Sequence, residues 1–297
     1  MQPEIQPGDD PILLNQHQTD ALLQQVRGQL EAQTFDDTDQ ATLKQLVEGF
    51  ADARGMVRLA LAETLGSIGR STTSVLLEGL THHPNPVVRR ACAKTLTLTA
   101  DPGAIPTLVQ ALLNDPDTVV QGSTVGAMAR IGKAAVPPLL GILETPGHSE
   151  SIKGHVTWAL AFMGAEVKEE LYQAFSSDSD EVRAAVLGAI TNIVQSHPEE
   201  KFLQLLTQAL GDPVPDIQNQ AAMVLGDLNY RPAIPQLIQL LQSRRNESRK
   251  SAALALMKLG DPMALESLRI SLSQEPEPQI QSVMQLAISQ LERQVSV

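Results

Sequence analysis

Apolar residues recur along this chain at helical spacing inside a longer period. A β-branched residue, often followed by Arg, has an aliphatic residue eight positions later. These anchors are Val57, Val88, Val120, Ile152, Val182, Ile217, Ser248 and Ile280. Their partners are Leu65, Leu96, Met128, Leu160, Ile190, Leu225, Leu256 and Ile288. Successive anchors stand 30 to 35 residues apart through eight copies, which marks an internal repeat. Only Ser248 departs from the anchor type, and its surroundings (RKSAALALMKLGDP) still follow the pattern.

Each period predicts a pair of helices. The first reads like VRLALAETLGSIG from Val57 to Gly69, with small residues four and five after the anchor and a Gly suited to a left-handed C-cap. The second starts near a Pro and carries apolar residues at i, i+3 and i+4, as in AIPTLVQALLN and AIPQLIQLLQS. Pro is tolerated there because the N–H it lacks has no partner in a helix's first turn. Turn-like linkers such as HHPNP and NDPD join the helices. One such pair cannot bury its apolar faces alone, whereas stacked pairs can. The expected fold is an all-α solenoid, a right-handed α-α superhelix of about eight helical hairpins.

The first fifty residues break the pattern. Residues 1–16 are polar with several Pro and read as a disordered tail. Helical patterns at about 18–33 and 39–50 make residues 17–50 an acidic helical cap, and 51–297 the solenoid. Asp36, Asp37 and Asp39 suit a helix N-terminus, where the macrodipole favours negative charge.

Composition agrees with stacked helices: 42% of residues are hydrophobic but only 3% aromatic, which disfavours a β-sandwich or barrel. The net charge of −12 is uneven. Residues 1–52 carry ten acids and two bases, and so hold −8 of it. No basic stripe runs along the repeats, so neither nucleic acid nor an anionic membrane is an expected partner. The N-terminus lacks a secretory signal pattern and no apolar run is long enough to span a bilayer, so the expected compartment is the cytoplasm. The single Cys92 falls at a buried small-residue position and is expected to be inert.

Units reading VRRACAKTL, VRAAVLGAI and AAMVLGDL, each followed by a helix like AIPxL, resemble the phycobilisome-lyase type of HEAT-like repeat. The stretches RGMVRLALAETLGSIG, HHPNPVVRRACAKTLTLTADP, DTVVQGSTVGAMARIGKAAVP and KGHVTWALAFMGAE resemble its cyanobacterial NblB branch more than the bilin-attaching E and F subunits. That resemblance implies a phycobiliprotein partner (phycocyanin or allophycocyanin subunits). It also implies detachment of the thioether-linked phycocyanobilin during phycobilisome degradation. A non-catalytic adaptor and a bilin-attaching lyase remain the alternatives. No cofactor and no metal site are expected, the bilin being substrate or ligand.

If the first helix of each repeat lines the binding face, positions two, three, six and ten after the anchor point outward. On that map the only Trp, Trp158, falls between Gly126 and Gly188 at the same offset, with His155 and Phe162 one turn to either side. Arg90, Lys94 and Arg130 lie on preceding repeats. Trp158 and Phe162 suit a flat tetrapyrrole or a partner helix, and the three cations suit propionates or acidic side chains. His155 is the acid/base candidate for thioether cleavage. Structural readings stand beside these: Trp158 as an inter-helix contact, His155 as a solvated helix residue, and the two glycines as aids to close packing. The Arg residues one after the anchor, Arg58, Arg89, Arg183 and Arg249, suggest a structural ladder with turn acids such as Asp115 and Asp180.

Overall fold

The structure is a computed structural model that describes residues 14–295. The expectation of a disordered tail therefore lies mostly outside the described residues, and its last residue, Gln16, opens a helix. All regular elements among the described residues are helices. In chain order the α-helices are α1 (Gln16–Glu31), α2 (Gln40–Glu48), α3 (Gly55–Ile68), α4 (Thr73–His82), α5 (Pro86–Thr99), α6 (Ile105–Asn114), α7 (Thr118–Ile131), α8 (Val136–Glu144) and α9 (Glu150–Met163). There follow α10 (Lys168–Ala174), α11 (Asp180–Ser196), α12 (Glu200–Ala209), α13 (Pro215–Asp227), α14 (Ile234–Leu240), α15 (Asn246–Leu259), α16 (Leu265–Gln274) and α17 (Pro278–Val295). The odd-numbered helices from α3 onward are the first helices of the eight repeats, and the even-numbered ones from α4 to α16 are the second. By its contacts the chain forms two compact units, Met1–Ala159 and Leu160–Val297, each a stack of helical hairpins.

The anchor pattern is the core pattern. Every anchor except the half-buried Val57 is buried, and so is every partner eight residues on. Ser248 is buried as well, and its hydroxyl donates to Gln218 Oε1 of the preceding repeat at 2.9 Å, which satisfies the polar atom that replaces a methyl group there. In the first unit α1 packs on α3, where Arg27 Nε donates to Thr64 Oγ1 at 3.0 Å and Arg54 bridges to Asp20. Asp39 caps α2 by accepting from the Ala41 and Thr42 N–H groups.

Twelve residues after the anchor the backbone turns left-handed. Positive φ occurs there at Gly69, Ala100, Gly132, Gly164, Asn229 and Gly260. In the fifth repeat that position is Val194, whose β-branched side chain resists positive φ, and α11 runs on to Ser196. This overrun accounts for part of the 35-residue step to the next anchor.

The residue one after seven of the eight anchors closes the loop before its own helix. Arg58 Nη1 donates to the Asp52 carbonyl at 2.6 Å, Arg89 to His83 at 3.1 Å and Gln121 Nε2 to Asp115 at 2.9 Å. Arg183 reaches the Ser177 carbonyl, Gln218 that of Asp212, Arg249 that of Ser243, and Gln281 that of Glu275, at 2.9, 2.7, 3.0 and 2.6 Å. The separation is six residues every time. The loop residue supplying the carbonyl also turns its side chain inward to accept the N–H two residues on, as Asp115 does from Asp117.

Three of the arginines reach one loop further. Arg89 forks onto Asp115 at 2.8 and 3.0 Å, Arg183 onto Asp212 at 2.7 and 3.2 Å, and Arg249 onto Glu275 at 2.7 Å twice. Asp180 joins Arg183 as well, so both expected turn acids take part. These forks tie consecutive repeats with paired, mostly buried charges.

Removing one partner of such a pair leaves a charge without its counter-ion. Asp212→Ala is expected to destabilise the second unit by about 3 kcal/mol, read from urea unfolding, whereas Arg183→Ala combined with Asp212→Ala costs less than the two singles summed. Arg249 holds the Glu275 carboxyl below its ordinary value of 4.5, chiefly by hydrogen bonding. A carboxylate depressed in the folded state stabilises fully above its unfolded value and loses that contribution as pH falls through the folded one. Acid unfolding below about pH 4.5 should therefore be shallower in Glu275→Gln than in the parent chain.

The backbone offers a further test. Ala100 sits at φ 44°, ψ 43°, where the other first-unit repeats with a left-handed turn use Gly. Ala100→Gly is expected to raise the melting temperature or leave it unchanged, since relief of αL strain of about 1 kcal/mol opposes the added chain entropy of Gly.

Candidate functional site

The first helices bury their anchor face and leave the opposite face in solvent. In the first unit that face carries Arg90 and Lys94 on α5, Gly126 and Arg130 on α7, and His155 and Trp158 on α9. Phe162 and Gly188 lie beyond the division and belong to the second unit. Among outward positions, those six and ten after the anchor are the most open. Trp158 is 51% and Phe162 61% exposed. Positions three after the anchor are half-buried, and Ala185 is fully buried, so outward orientation fails there.

The cations differ in availability. Arg90 leans on Asp117, the N-cap of α7, with Nη2 to Oδ2 at 3.7 Å. The Asp117 carboxyl is held below its usual range, first by the Val119 and Val120 N–H groups and then by Arg90 and Arg89. Arg90 Nε is buried without a hydrogen-bond partner. Lys94 and Arg130 are exposed and make no ion pair among the described residues. They are the charges open to a ligand.

His155 turns toward α7. A Cβ built on Gly122 would stand 3.5 Å from its Nε2, an ordinary contact, so the ring lies against α7. The His155 Nδ1 is buried without a hydrogen-bond partner. No carboxylate among the described residues orients the ring as a third group orients the base in a hydrolytic triad.

The glycines separate into two kinds. At Gly66 and Gly226 a Cβ would collide with Leu98 at 2.7 Å and Ala255 at 3.0 Å, so these positions serve close packing between repeats. Gly126 has nothing within 4 Å of such a Cβ, and Gly188 meets only Gln220 Nε2 at 3.8 Å. Close approach of helices therefore does not explain Gly126, which leaves an open notch on α7.

Cys92 and His83 serve the packing. Cys92 is buried against Gly79, and burial pushes its thiol well above its ordinary pKa. His83 is buried, accepts from the Asn85 N–H through Nδ1 at 3.0 Å and faces Glu48 Oε2 at 3.2 Å through Nε2. The clefts lie on other faces. One of about 570 Å³ runs along α4 and α6, and one of about 420 Å³ along α12 and α14.

Sequence reasoning missed one row. The residue before each anchor is one turn from the outward positions two and three after it, so it shares their face. In the first unit this row is Met56, Val87, Val119 and Ser151, all exposed and the first three apolar. Adding the offset of −1 to the map was enough to find it.

A family model for HEAT repeats matches residues 41–129, 73–161, 105–191 and 203–289. The chain is 34% identical over 279 residues to the bilin biosynthesis protein MpeU of Synechococcus sp. (strain WH8020), covering 94% of each. This chain belongs to the phycobilisome-lyase type of HEAT-repeat proteins. A second relative of this lyase-type protein is the uncharacterized phycocyanin operon protein Z of Pseudanabaena tenuis (strain PCC 7409), 26% identical over 71% of this chain and 91% of that one. The karyopherin Kap121p, solved with the extreme C-terminus of the phosphatase Cdc14p, shares the fold at a TM-score of 0.53 and 16% identity, over 94% of this chain and 36% of that one.

The lyase-type repeat tolerates Gly126 at a cost. Gly126→Ala is expected to stabilise the first unit by up to about 1 kcal/mol in thermal or urea unfolding, because the helix gains a better former and no neighbour is displaced. A destabilised variant would show that something fills the notch.

Proposed function

We propose that this protein grips a phycobiliprotein subunit and acts on its thioether-linked bilin in the cytoplasm. The observation that carries this is the likeness to a bilin biosynthesis protein across nearly the whole of both chains. The first helices add a chemistry that suits the ligand. Trp158 offers an aromatic shelf, Gly126 leaves space beside it, and Lys94 and Arg130 offer cations for two propionates. Arg90 is the weaker of the cations because Asp117 already engages it. Phe162 and Gly188 are assigned to partner contacts on the second unit.

Attachment and detachment are one reaction run in opposite directions. In detachment a base takes the proton on the ring carbon beside the thioether carbon. The C–S bond then breaks with its electron pair on sulfur, a carbon–carbon double bond forms, and the proton ends on the thiol. His155 is assigned as the group that takes the proton and returns it, being the imidazole one turn from Trp158 on α9. The likeness to an NblB-type sequence in the KGHVTWALAFMGAE stretch supports detachment of phycocyanobilin from phycocyanin or allophycocyanin during phycobilisome degradation. The full-length relative, a bilin biosynthesis protein, favours attachment instead. A non-catalytic adaptor is a further reading, favoured because no carboxylate among the described residues orients His155.

Mixing the protein with chromophorylated phycocyanin, and separately with apo-subunit plus free phycocyanobilin, distinguishes them by absorbance and protein mass. Detachment moves the bilin mass off the first; attachment adds it to the second. Demonstrated binding with no mass change in either would leave only the adaptor. His155→Ala is expected to slow the active direction by about 100-fold with binding intact. Trp158→Ala should weaken phycocyanin binding by about tenfold at an unchanged melting temperature, given its exposure.

A further inference from the structure

The two units share a repeat but not a surface. At the position before the anchor, the first three repeats of the first unit expose Met56, Val87 and Val119, 76%, 37% and 48% open, and the fourth exposes Ser151. The second unit places Glu181, Asp216, Glu247 and Gln279 at the same register, all exposed and three of them acidic. Cations follow the same division. Lys94 and Arg130 stand without acidic partners on the first unit, while Lys250 and Lys258 on the second are paired with Glu247 and Asp227. The second face is neutralised from within. The first presents an apolar row with uncompensated positive charge alongside it.

We propose that the first-helix face of the first unit is a docking surface for an acidic amphipathic helix of a partner protein. It shares with the proposed function the face used and the cations Lys94 and Arg130, and needs no bilin. The geometry sets the register. Met56, Val87 and Val119 stand on α3, α5 and α7, which pack in succession at the usual interaxial spacing of about 8–10 Å. Seven residues of a helix rise about 10.5 Å and return to nearly the same face. A helix laid across α3, α5 and α7 with an apolar residue at every seventh position therefore meets one of the three at each step. Lys94 is seven residues beyond Val87 and Arg130 eleven beyond Val119, so the cations flank one side of that helix. Acidic side chains on that flank complement them, and the sign of the charge decides the partner class.

The test uses the full chain and a fluorescent, helix-stabilised peptide with leucine at every seventh position and glutamate along one flank. A sibling peptide carries lysine in place of glutamate. The acidic peptide is expected to bind and the basic one to bind at least about tenfold more weakly. Val87→Asp with Val119→Asp, and separately Lys94→Glu with Arg130→Glu, should each weaken the acidic peptide by about tenfold or more, and the second pair should invert the preference between peptides. Glu181→Ala with Glu247→Ala on the second unit should leave binding within about twofold. Far-ultraviolet circular dichroism confirms that each variant is folded. Equal binding of both peptides, or indifference to both first-unit pairs, overturns the proposal. So does sedimentation showing that the parent chain self-associates and the Val87→Asp, Val119→Asp variant does not, since the occupant is then a second copy. Peptide binding as expected with the bilin of phycocyanin untouched would defeat the proposed function and leave this surface standing. Bilin transfer by a chain that ignores the peptide would do the reverse.

Discussion

One hydrogen bond recurs through this fold and organises the rest: the side chain after seven of the eight anchors reaches back six residues to a loop carbonyl. A loop between two helices exposes backbone groups that neither helix can satisfy. Burying such a loop inside a stack requires a donor of fixed reach, and the first turn of the following helix is the place from which one can come. Arg and Gln both have that reach. From the fifth to the seventh repeat the choice between them follows the next loop. Arg183 is followed by Asp212 and Arg249 by Glu275, and both arginines fork onto those carboxylates. Gln218 is followed by Ser243, which has no charge to offer, and Gln218 donates to the carbonyl while its amide oxygen accepts from Ser248.

That division of labour frees the opposite face. The loop clamp, the anchor and the residue eight further on hold each first helix from one side, so stability places few demands on the outward positions. Tryptophan, glycine or lysine can stand there without disturbing the stack. Gly126 shows the contrast with Gly66 most directly, since a Cβ meets nothing at the first and Leu98 at the second. A protein whose packing residues and surface residues are separated in this way can keep its fold while its binding face diverges. This is why a shared fold with a karyopherin at 16% identity says nothing about what is bound.

The fold was legible because its packing signal is periodic and repeated. Anchors and partners read from spacing alone are buried, apart from the half-buried Val57, and Gly at the helix end marks the left-handed turn in four of the repeats. Even the long step after Val182 has a local cause in Val194. The clamp was half legible. Recurring Arg residues suggested a ladder, but Gln121, Gln218 and Gln281 perform the same closure and share only geometry with Arg, not charge. His83 was read as a loop residue. It sits where other loops carry Asp, and its ring nitrogen accepts the same backbone N–H, a substitution that residue type conceals. On the exposed face, single residues were legible and their state was not. Arg90 and Lys94 look alike in sequence, yet Asp117 engages only Arg90.

The same reasoning explains why the row of Met56, Val87 and Val119 escaped notice. An apolar residue beside a buried anchor reads as part of the core, and only exposure separates the two. The comparison between units makes the separation meaningful. Acidic residues occupy the corresponding positions on α11, α13 and α15, and the helices there stack equally well, so packing does not require apolar side chains at that register. Where a fold accepts glutamate, an exposed methionine or valine costs solubility and returns nothing to stability. Such a cost is retained when the surface is covered by another protein, and the unpaired Lys94 and Arg130 beside it specify which sign of charge that protein brings.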